Sequence, residues 1–421
     1  MFSKIFKIDE SIITSLLDID FYKFPMGQMI QMLYPTVETT FGLTNRTKSV
    51  RLADEVCIEQ VREELDHVRT LHADKTELHY LRGTNEYQER MFREPYLEFF
   101  GKLQLPEYNL RKRDDGQIHL EFPGLWAQDT YWETIGLAIV NELRNRSILA
   151  KMTRSEREEV FKTGRLRLEE KIRRLKERPD ITWIEFGTRR RFCKIWQEYI
   201  IQRFMESLPP TQFLGTSNTY LAMKYGLSSM GTSAHELPMV LAGVFDDGTC
   251  NAPQKATEQV LKDWWNLYGL GLSITLPDTF GTDFFLKIMT PEQAHAWKGS
   301  RQDSGNPFAY GNKYINFYRQ CDVDPFTKLI IFSDGLDVDL IFKINDYFSK
   351  KIKCTFGWGT NLTNDLGIPA LSLVIKAIRA NDRGLVKLSD NLAKAIGTPE
   401  DIERYKNECD YINTTYTECK Y

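Results

Sequence analysis

Apolar runs and polar stops alternate along the middle of the chain, between Ile184 and Thr360. Each run ends in small, hydroxylic or charged residues, and this happens seven times, at 185–189, 214–218, 231–236, 276–278, 301–305, 332–335 and 356–360. A segment with helical spacing follows most of these stops. Alternating strands and helices predict a parallel sheet, and if that sheet closes into a barrel all strand ends meet on one face. We therefore expect an α/β barrel of about seven parallel strands, with a site on that face.

The regions on either side of this alternation have other patterns. Before it, strand-like runs at 38–44 and 118–123 flank a polar helical stretch at 56–71, which indicates a separate α+β layer. After it, strand-like runs return at 371–378 and 385–388, and we expect them to rejoin that layer. The predicted parts are an N-terminal domain at 1–145, the barrel at 146–370 and a returning C-terminal segment at 371–421.

A highly charged stretch at 155–176 precedes the alternation and carries apolar residues at helical spacing. Pro179 follows it and is expected to end the helix, because proline cannot continue the hydrogen-bond pattern. We interpret the stretch as a solvated helix that covers one edge of the barrel, in preference to a nucleic-acid surface.

Composition excludes several classes of protein. The 421 residues carry a formal net charge of −3, which gives no basic character for a nucleic-acid partner. No apolar run approaches the roughly 18 residues that a membrane span requires. The first ten residues contain early acidic side chains and no apolar core, which argues against a secretion signal. Seven scattered cysteines without a CxxC pair predict neither disulfides nor a zinc knuckle, and a reducing, cytoplasmic compartment fits best.

His235 is the candidate with most chemistry among the six histidines. It lies in Gly-Thr-Ser-Ala-His-Glu at a polar stop, whereas His67, His72 and His79 lie in a charged helical region typical of a solvated surface. Without an HxxxH or HExxH pattern, no zinc site is expected. An imidazole at a strand end can act as base or nucleophile when a carboxylate orients its other nitrogen, and Asp278 is the candidate. The alternative is a capping or core histidine.

Arg301 and Asp303 lie two residues apart in Arg-Gln-Asp-Ser-Gly, so an extended backbone puts them on one face. A guanidinium fork suits a carboxylate or phosphate, and a carboxylate suits sugar hydroxyls or a magnesium-bound ligand. The alternative is a surface ion pair, which would contribute less than about 1 kcal/mol.

Two further stops favour ligand binding. Gly335 and the Gly357-Trp358-Gly359-Thr360 turn resemble loops that cradle phosphate with backbone N–H groups. Phe186 could stack on a flat aromatic ring while Arg189 faces an anion, although a core phenylalanine is the alternative. In the run 189–191, only Arg189 is expected to point inward.

Taken together, these residues closely resemble the nicotinate phosphoribosyltransferase family in its bacterial and fungal form. The matching pieces span nearly the whole chain in the family's order, at 16–23, 44–46, 185–191, 215–218, 231–236, 303–305, 332–334 and 359–365. Any one piece is weak, but the set is highly specific. Two departures are the Leu-Pro-Met after Glu236, where many relatives carry a tryptophan, and the segment 411–421, which matches no motif.

The resemblance implies an irregular barrel with an N-terminal α/β layer, active as a homodimer with shared sites. Such enzymes join nicotinate to phosphoribosyl pyrophosphate, giving nicotinate mononucleotide and pyrophosphate in NAD salvage. ATP is a co-substrate whose hydrolysis is coupled through a transient phosphohistidine, by motif match His235. Magnesium is expected as cofactor, held through Asp278 or Asp303. Tyr22, Lys23 and Arg46 match residues that reach the site from the partner subunit.

The expected site follows from these motifs and from the chemistry of each side chain. The catalytic candidates are His235, Asp278 and Glu236. The candidates for nicotinate binding are Tyr22, Phe186, Arg189, Ser217, Thr232 and Arg301. The candidates for binding phosphoribosyl pyrophosphate are Lys23, Arg46, Asp303, Asp334, Gly335, Gly357, Gly359 and Thr360. Tyr22 and Phe186 would sandwich the pyridine ring, while Arg301 and Thr232 would bind its carboxylate.

Ser217 bears on whether the substrate is the acid or the amide, because the related nicotinamide enzymes have Asp there. A hydroxyl can donate to a carboxylate, whereas Asp would repel it, so nicotinate is preferred to nicotinamide. A catalytically silent nucleotide-binding sensor is a second alternative, but it would be expected to lack His235, Arg301 or Asp303. A barrel aldolase or decarboxylase would require a strand-end lysine, which none of the seven stops has.

Overall fold

A computed structural model of the chain describes residues 10–86, 88–248 and 251–418. Within those ranges Cys57, Cys193, Cys321, Cys354 and Cys409 are free thiols. The other two cysteines, and the first nine residues used above to argue against a secretion signal, lie outside the described residues. Among the described helices, none has the length and apolarity that a membrane crossing requires.

The chain alternates helices and strands throughout these ranges. The strands are β1 (Glu38–Asn45), β2 (Asn85–Glu86), β3 (Glu89–Arg90), β4 (Asn109–Lys112), β5 (Ile118–Leu125), β6 (Trp183–Glu185), β7 (Phe213–Thr216), β8 (Ile274–Thr275), β9 (Gly299–Gln302), β10 (Leu329–Phe332), β11 (Lys353–Trp358), β12 (Leu373–Ala380) and β13 (Arg383–Gly384). The α-helices are α1 (Lys23–Leu33), α2 (Leu52–Glu55), α3 (Ile58–Arg69), α4 (Lys75–Gly83), α5 (Glu94–Gly101), α6 (Trp126–Asp129), α7 (Trp132–Ala150), α8 (Arg154–Lys176), α9 (Lys194–Ser207), α10 (Thr219–Tyr225), α11 (Glu236–Phe245), α12 (Ala252–Tyr268), α13 (Thr282–Ile288), α14 (Pro291–Ala296), α15 (Pro307–Gln320), α16 (Val338–Phe348), α17 (Thr360–Thr363) and α18 (Pro399–Glu408). Short 3₁₀ turns occur at Thr188–Arg190, Pro277–Thr279, Pro325–Thr327 and Leu392–Lys394.

Six strands form the parallel sheet of the barrel domain, in the order β7-β6-β11-β10-β9-β8. The prediction of a parallel α/β barrel domain is confirmed, with six strands in the described residues where about seven were expected. The stop at 231–236 follows no strand: only a single parallel bridge, between Ser229 and Thr216, lies beside β7. Because few apolar residues precede Gly231, the chain there makes only this one bridge and then continues into α11.

A second, antiparallel sheet carries the N-terminal layer, in the order β13-β12-β1-β5-β4. Strand β12 pairs with β1 from Thr39 opposite Ala380 to Asn45 opposite Leu373. The chain after the barrel therefore rejoins the N-terminal sheet. The stretch 385–388, which we expected to be a strand, makes an isolated bridge from Lys387 to Ile396 and one hydrogen bond from the N–H of Leu385 to the carbonyl of Ile378 in β12. It does not form a strand, so that expectation is wrong.

Helix α7 is buried along most of its length and lies against the second sheet. Gly136 allows this contact, because a Cβ there would lie 2.7 Å from Cδ1 of Ile375. The predicted charged helix is confirmed as α8, which buries only its apolar face. Thr153 caps it by accepting from the backbone N–H of Glu156, whose side chain returns the contact.

Candidate active site

The carboxyl ends of β6, β9, β10 and β11 open into one cleft. Eleven of the predicted site residues line it: Arg46, Phe186, Arg189, His235, Arg301, Asp303, Asp334, Gly335, Gly357, Gly359 and Thr360. Side chains separated by up to 314 positions in sequence, from 46 to 360, thus share one wall.

The cleft carries more positive than negative charge. Seven cationic side chains and three carboxylates line it, which favours anionic ligands such as phosphates. Sequence reasoning missed five of these ten groups: Glu133, Arg190, Lys376, Lys387 and Lys394. A signal existed for two of them, because Lys376 and Lys387 each interrupt an apolar run, where a charge has no reason to be buried unless it meets a partner or a ligand.

His235 lies at the floor of the cleft and is almost completely buried. Its Nδ1 lies 2.9 Å from the hydroxyl of Thr279, and its Nε2 lies 3.0 Å from Oδ2 of Asp303. We expected Asp278 to orient the ring, but its nearer oxygen is 3.7 Å from Nε2, beyond a hydrogen bond. Thr279 and Asp303 therefore orient the imidazole, and Asp278 makes no hydrogen bond to it.

The charge states of this pair follow from burial and contacts. Burial, together with the positive charge of Lys387, lowers the pKa of His235 to about 4, although Asp278 and Asp303 oppose the shift. Burial alone would raise the pKa of Asp303, but the hydrogen bond from His235 and the charge of Arg301 hold it well below its usual value. At neutral pH the imidazole is therefore neutral and the carboxylate ionised, which leaves His235 able to act as a nucleophile.

Arg301 is buried and held in one orientation. Its Nη1 donates to the Thr232 hydroxyl over 2.8 Å, and Tyr310 donates to its backbone oxygen over 3.1 Å. Its Nη2 lies 3.9 Å from Asp303, so the exposed ion pair considered above does not describe it. Within the described residues the Nε–H of Arg301 has no hydrogen-bond partner, and this leaves donor capacity for a ligand.

Phe186 and Arg189 both line the cleft at the end of β6. The ring of Phe186 lies so close to Gly357 that a Cβ there would come within 2.4 Å of it. Arg189 is held by Oδ2 of Asp20 at 3.0 Å. The expectation that only Arg189 of its run points inward is wrong, because Arg190 lines the cleft as well.

Six expected site residues do not line the cleft: Tyr22, Lys23, Ser217, Thr232, Glu236 and Asp278. Buried contacts argue against the expected roles of three of them. Lys23 and Glu236 form a buried ion pair at 2.5 Å, and Glu236 also accepts from Trp126 and Thr130 at 2.7 and 2.6 Å. Neither a catalytic Glu236 nor a phosphate-binding Lys23 is compatible with that burial. The hydroxyl of Ser217 donates its hydrogen bond to the buried carboxylate of Asp20 over 2.6 Å, and Ser217 does not line the cleft.

Tyr22 and Arg46 lie at the site of their own chain. Tyr22 lies behind the wall, with its hydroxyl 3.2 Å from Glu133 and 3.3 Å from Arg189, and Arg46 lines the same cleft. The N-terminal layer of one chain therefore already brings Arg46 to its own cleft. The homodimer, and a contribution of these residues from the partner subunit, stay predictions.

The end of the cleft that carries Lys394 and Arg46, here called the cationic end, is built by the C-terminal segment and the ends of β9 and β10. The Nζ of Lys394 donates to the backbone oxygen of Asp303 over 2.7 Å and to Asp334 over 2.5 Å. Arg46 donates to the carbonyl of Lys394 over 2.8 Å. Gly335 has φ +61° and open space where a Cβ would be, so the backbone is accessible to a ligand there.

The donors beside His235 fit a divalent cation. Ligand atoms of His235, Asp278 and Asp303 lie within 4.8 Å of one another. In the described part of the chain, Oδ1 of Asp278 is buried without a hydrogen-bond partner. Magnesium prefers carboxylate oxygens and retains several waters, so the two aspartates suit it better than the imidazole does.

The parallel barrel and its cationic strand-end cleft define an enzyme class that acts on phosphate-bearing substrates. Residues 181–414 match the nicotinate phosphoribosyltransferase (NAPRTase) family, and residues 17–141 match the N-terminal domain of that family. Since these matches cover more than half of the chain, it belongs to the nicotinate phosphoribosyltransferase family.

Two solved structures agree with this assignment. The nicotinate phosphoribosyltransferase of Porphyromonas gingivalis is 28% identical, with a TM-score of 0.85 over 95% of this chain and 100% of that one. The nicotinate phosphoribosyltransferase of Vibrio cholerae is 30% identical, with a TM-score of 0.82 over 96% of this chain and 94% of that one.

Proposed function

We propose that this enzyme joins nicotinate to the ribose of phosphoribosyl pyrophosphate and releases pyrophosphate, with ATP hydrolysis coupled through a phosphorylated His235. The product would be nicotinate mononucleotide, an intermediate of NAD salvage. The observation that carries the proposal is the buried Arg301, fixed by Thr232 in the same cleft as a neutral His235. Membership of the family supports nicotinate and phosphoribosyl pyrophosphate as the substrates. The neutral, buried imidazole in the cleft supports the coupling to ATP hydrolysis.

Arg301 supports the acid in preference to the amide. Its guanidinium can pair with the nicotinate carboxylate in a desolvated wall. Thr232 does not line the cleft, and its hydroxyl holds the guanidinium in place. Nicotinamide lacks the charge that this pair would satisfy. Ser217 does not reach the cleft, so acid preference is better attributed to Arg301 and to the surrounding positive charge. The ring of Phe186 offers a flat face to the pyridine.

The cationic end suits the pyrophosphate leaving group. Nucleophilic attack by the pyridine nitrogen on C1 of the ribose forms the C–N bond while the C–O bond to pyrophosphate breaks. Positive charge develops on the sugar and negative charge on the departing phosphate, so preorganised cations matter more than a strong base. Lys387, Lys394 and Arg46 would hold that leaving group.

His235 would receive the γ-phosphoryl group of ATP. A ring nitrogen forms the N–P bond, the bond from the γ-phosphorus to its bridging oxygen breaks, and ADP leaves. Attack of water on that phosphorus later restores the imidazole and releases phosphate. The ring nitrogen that takes the phosphoryl group gives up its present contact, to Thr279 or to Asp303, and the contact on the other nitrogen holds the ring in position. A magnesium ion on Asp278 and Asp303 would supply charge neutralisation for the phosphates when bound.

The test compares the two pyridines with the wild type and with Arg301→Gln. We expect nicotinate mononucleotide from nicotinate, with nicotinamide turned over at least about a hundredfold less efficiently because the charged contact is missing. Arg301→Gln should lose most of that preference. Equal efficiency with both pyridines, or unchanged preference in the variant, would contradict the proposal. ATP should lower the KM for phosphoribosyl pyrophosphate, and an ATP-independent reaction would contradict the coupling.

A further inference from the structure

The segment 411–417, here called the strap, matches no motif yet makes repeated contacts with one loop. That loop, residues 387–394, is here called the lysine loop because Lys387 and Lys394 leave it to line the cleft. The strap follows α18 and runs over the outer side of the lysine loop. Its position links the segment after α18 to the cationic end of the cleft.

Backbone and amide hydrogen bonds attach the strap to the lysine loop. The N–H of Leu392 donates to the carbonyl of Thr415 over 2.9 Å. The side-chain amide of Asn391 donates to the carbonyl of Thr417 over 2.8 Å and accepts from its N–H over 2.9 Å. A reciprocal pair of this kind satisfies both strap groups at once and fixes the register of the two segments.

Tyr411 stabilises a strained point of the lysine loop. Ser389 is fully buried and has φ +68°, a left-handed conformation that costs free energy for a residue with a Cβ. The hydroxyl of Tyr411 donates to the carbonyl of Ser389 over 2.5 Å, and Asn413 donates to the next carbonyl, of Asp390, over 2.7 Å. The ring of Tyr411 packs on Gly281. The strap therefore supplies contacts that keep Ser389 in this conformation.

The lysine loop in turn contacts the two groups that orient His235. The N–H of Leu388 donates to the carbonyl of Thr279 over 2.8 Å, and Lys394 donates to the carbonyl of Asp303 over 2.7 Å. The N–H of Asp390 donates to the hydroxyl of Ser304 over 3.0 Å. Movement of the loop would therefore shift both the cationic end and the ring that faces it.

We propose that the strap is a positioning element of the reaction: it fixes the lysine loop so that Lys387 and Lys394 face the pyrophosphate group of the substrate. Tyr411 and Asn413 are its positioning residues, and neither lines the cleft. The identity of the substrate rests on the proposed function above, but the geometry requires only an anion with the charge of pyrophosphate.

The test compares Tyr411→Phe with Tyr416→Phe. Both variants lose one phenolic hydroxyl in the strap, but Tyr416 is 71% exposed and serves as the matched control. Inorganic pyrophosphate is titrated into each full-length protein by calorimetry. Tyr411→Phe should bind it about tenfold more weakly, with a similar rise in KM for phosphoribosyl pyrophosphate and little change in kcat. Tyr416→Phe should match the wild type.

A rescue variant separates positioning from simple loss of stability. Glycine adopts φ +68° without strain, so adding Ser389→Gly to Tyr411→Phe should restore much of the pyrophosphate affinity. Wild-type affinity in Tyr411→Phe, or a lower melting temperature without a change in affinity, would overturn the proposal. If the wild type binds pyrophosphate but forms no nicotinate mononucleotide, the proposed function fails while the strap is still tested by the titration.

Discussion

Burial sets the charge of single residues in the cleft. The pKa of His235 lies at about 4 because of burial and the nearby Lys387. Burial also lowers the pKa of Lys387, to about 8, against the pull of Asp278 and Asp303. Between these two values His235 is neutral and Lys387 is charged. Those are the states that phosphate acceptance and anion binding require.

The alkaline limb of the pH profile tests the charge of Lys387. As the pH rises through about 8, Lys387 loses its proton, so kcat/KM for phosphoribosyl pyrophosphate should fall. Lys387→Arg keeps its charge, because a guanidinium stays protonated, and should shift that limb upward by more than about one pH unit. Lys353→Arg, an exposed lysine in β11, serves as the control. The same limb in the wild type and Lys387→Arg would contradict the assignment.

The residues that sequence reasoning found are those at the ends of strands. Arg301, Asp303 and Thr360 could be predicted because a polar stop after an apolar run marks the edge where strand ends meet. The position of Ser217 could not be predicted, since Asp20, the carboxylate that accepts its hydrogen bond, is 197 positions away. Pattern alone also does not say that Glu236, next to His235, points to the opposite side.

Among the elements, Lys23 joins three helices through buried charges. It extends from the start of α1 to Glu133 on α7 at 2.6 Å and to Glu236 on α11 at 2.5 Å. Burial lowers the pKa of Lys23, but the two carboxylates outweigh that effect and raise it. The pair fixes α11, and with it the residue that precedes the helix, His235. This ion pair is therefore a structural support for the site.

Removal of that cation should be costly for the fold. Lys23→Met leaves Glu133 and Glu236 buried with less compensation, and we expect the free energy of unfolding to fall by about 3–5 kcal/mol. Arg154→Met breaks an exposed pair with Glu158 and should cost less than about 1 kcal/mol. Urea unfolding of both variants gives the comparison. A similar, small loss in the two would show that the buried network contributes little.

The type of an element could be predicted where the hydrophobic pattern extended over many residues. The patterns of α8, β1 and β12 are each longer than one helical turn or one bridge, so they distinguish helix from strand. The stop at 231–236 failed because composition there resembles a strand end, while Met230 makes the last ladder hydrogen bond, to Thr216. The stretch 385–388 failed for a related reason: its four residues are all buried, but only the N–H of Leu385 bonds to β12, at the carbonyl of Ile378.

At the scale of the whole molecule, two sheets from distant parts of the chain build one site. Strands β1 and β12 are paired, and this pairing brings Arg46, Lys376 and the lysine loop over the barrel mouth. Alternation predicted the barrel, and the ordered motifs predicted the family. Pattern does not say whether the N-terminal layer packs on its own barrel or on that of another subunit. The supply of residues by a partner subunit therefore stays a prediction.

The account depends most on His235 as a phosphate acceptor at the centre of this cleft. The most direct measurement incubates the protein with γ-labelled ATP and quantifies acid-labile, base-stable phosphate on the chain. The wild type should acquire label, mass spectrometry should assign it to His235, and addition of nicotinate with phosphoribosyl pyrophosphate should discharge it. His235→Ala should acquire none. Label that persists in His235→Ala, or no label in an active wild type, would contradict the account.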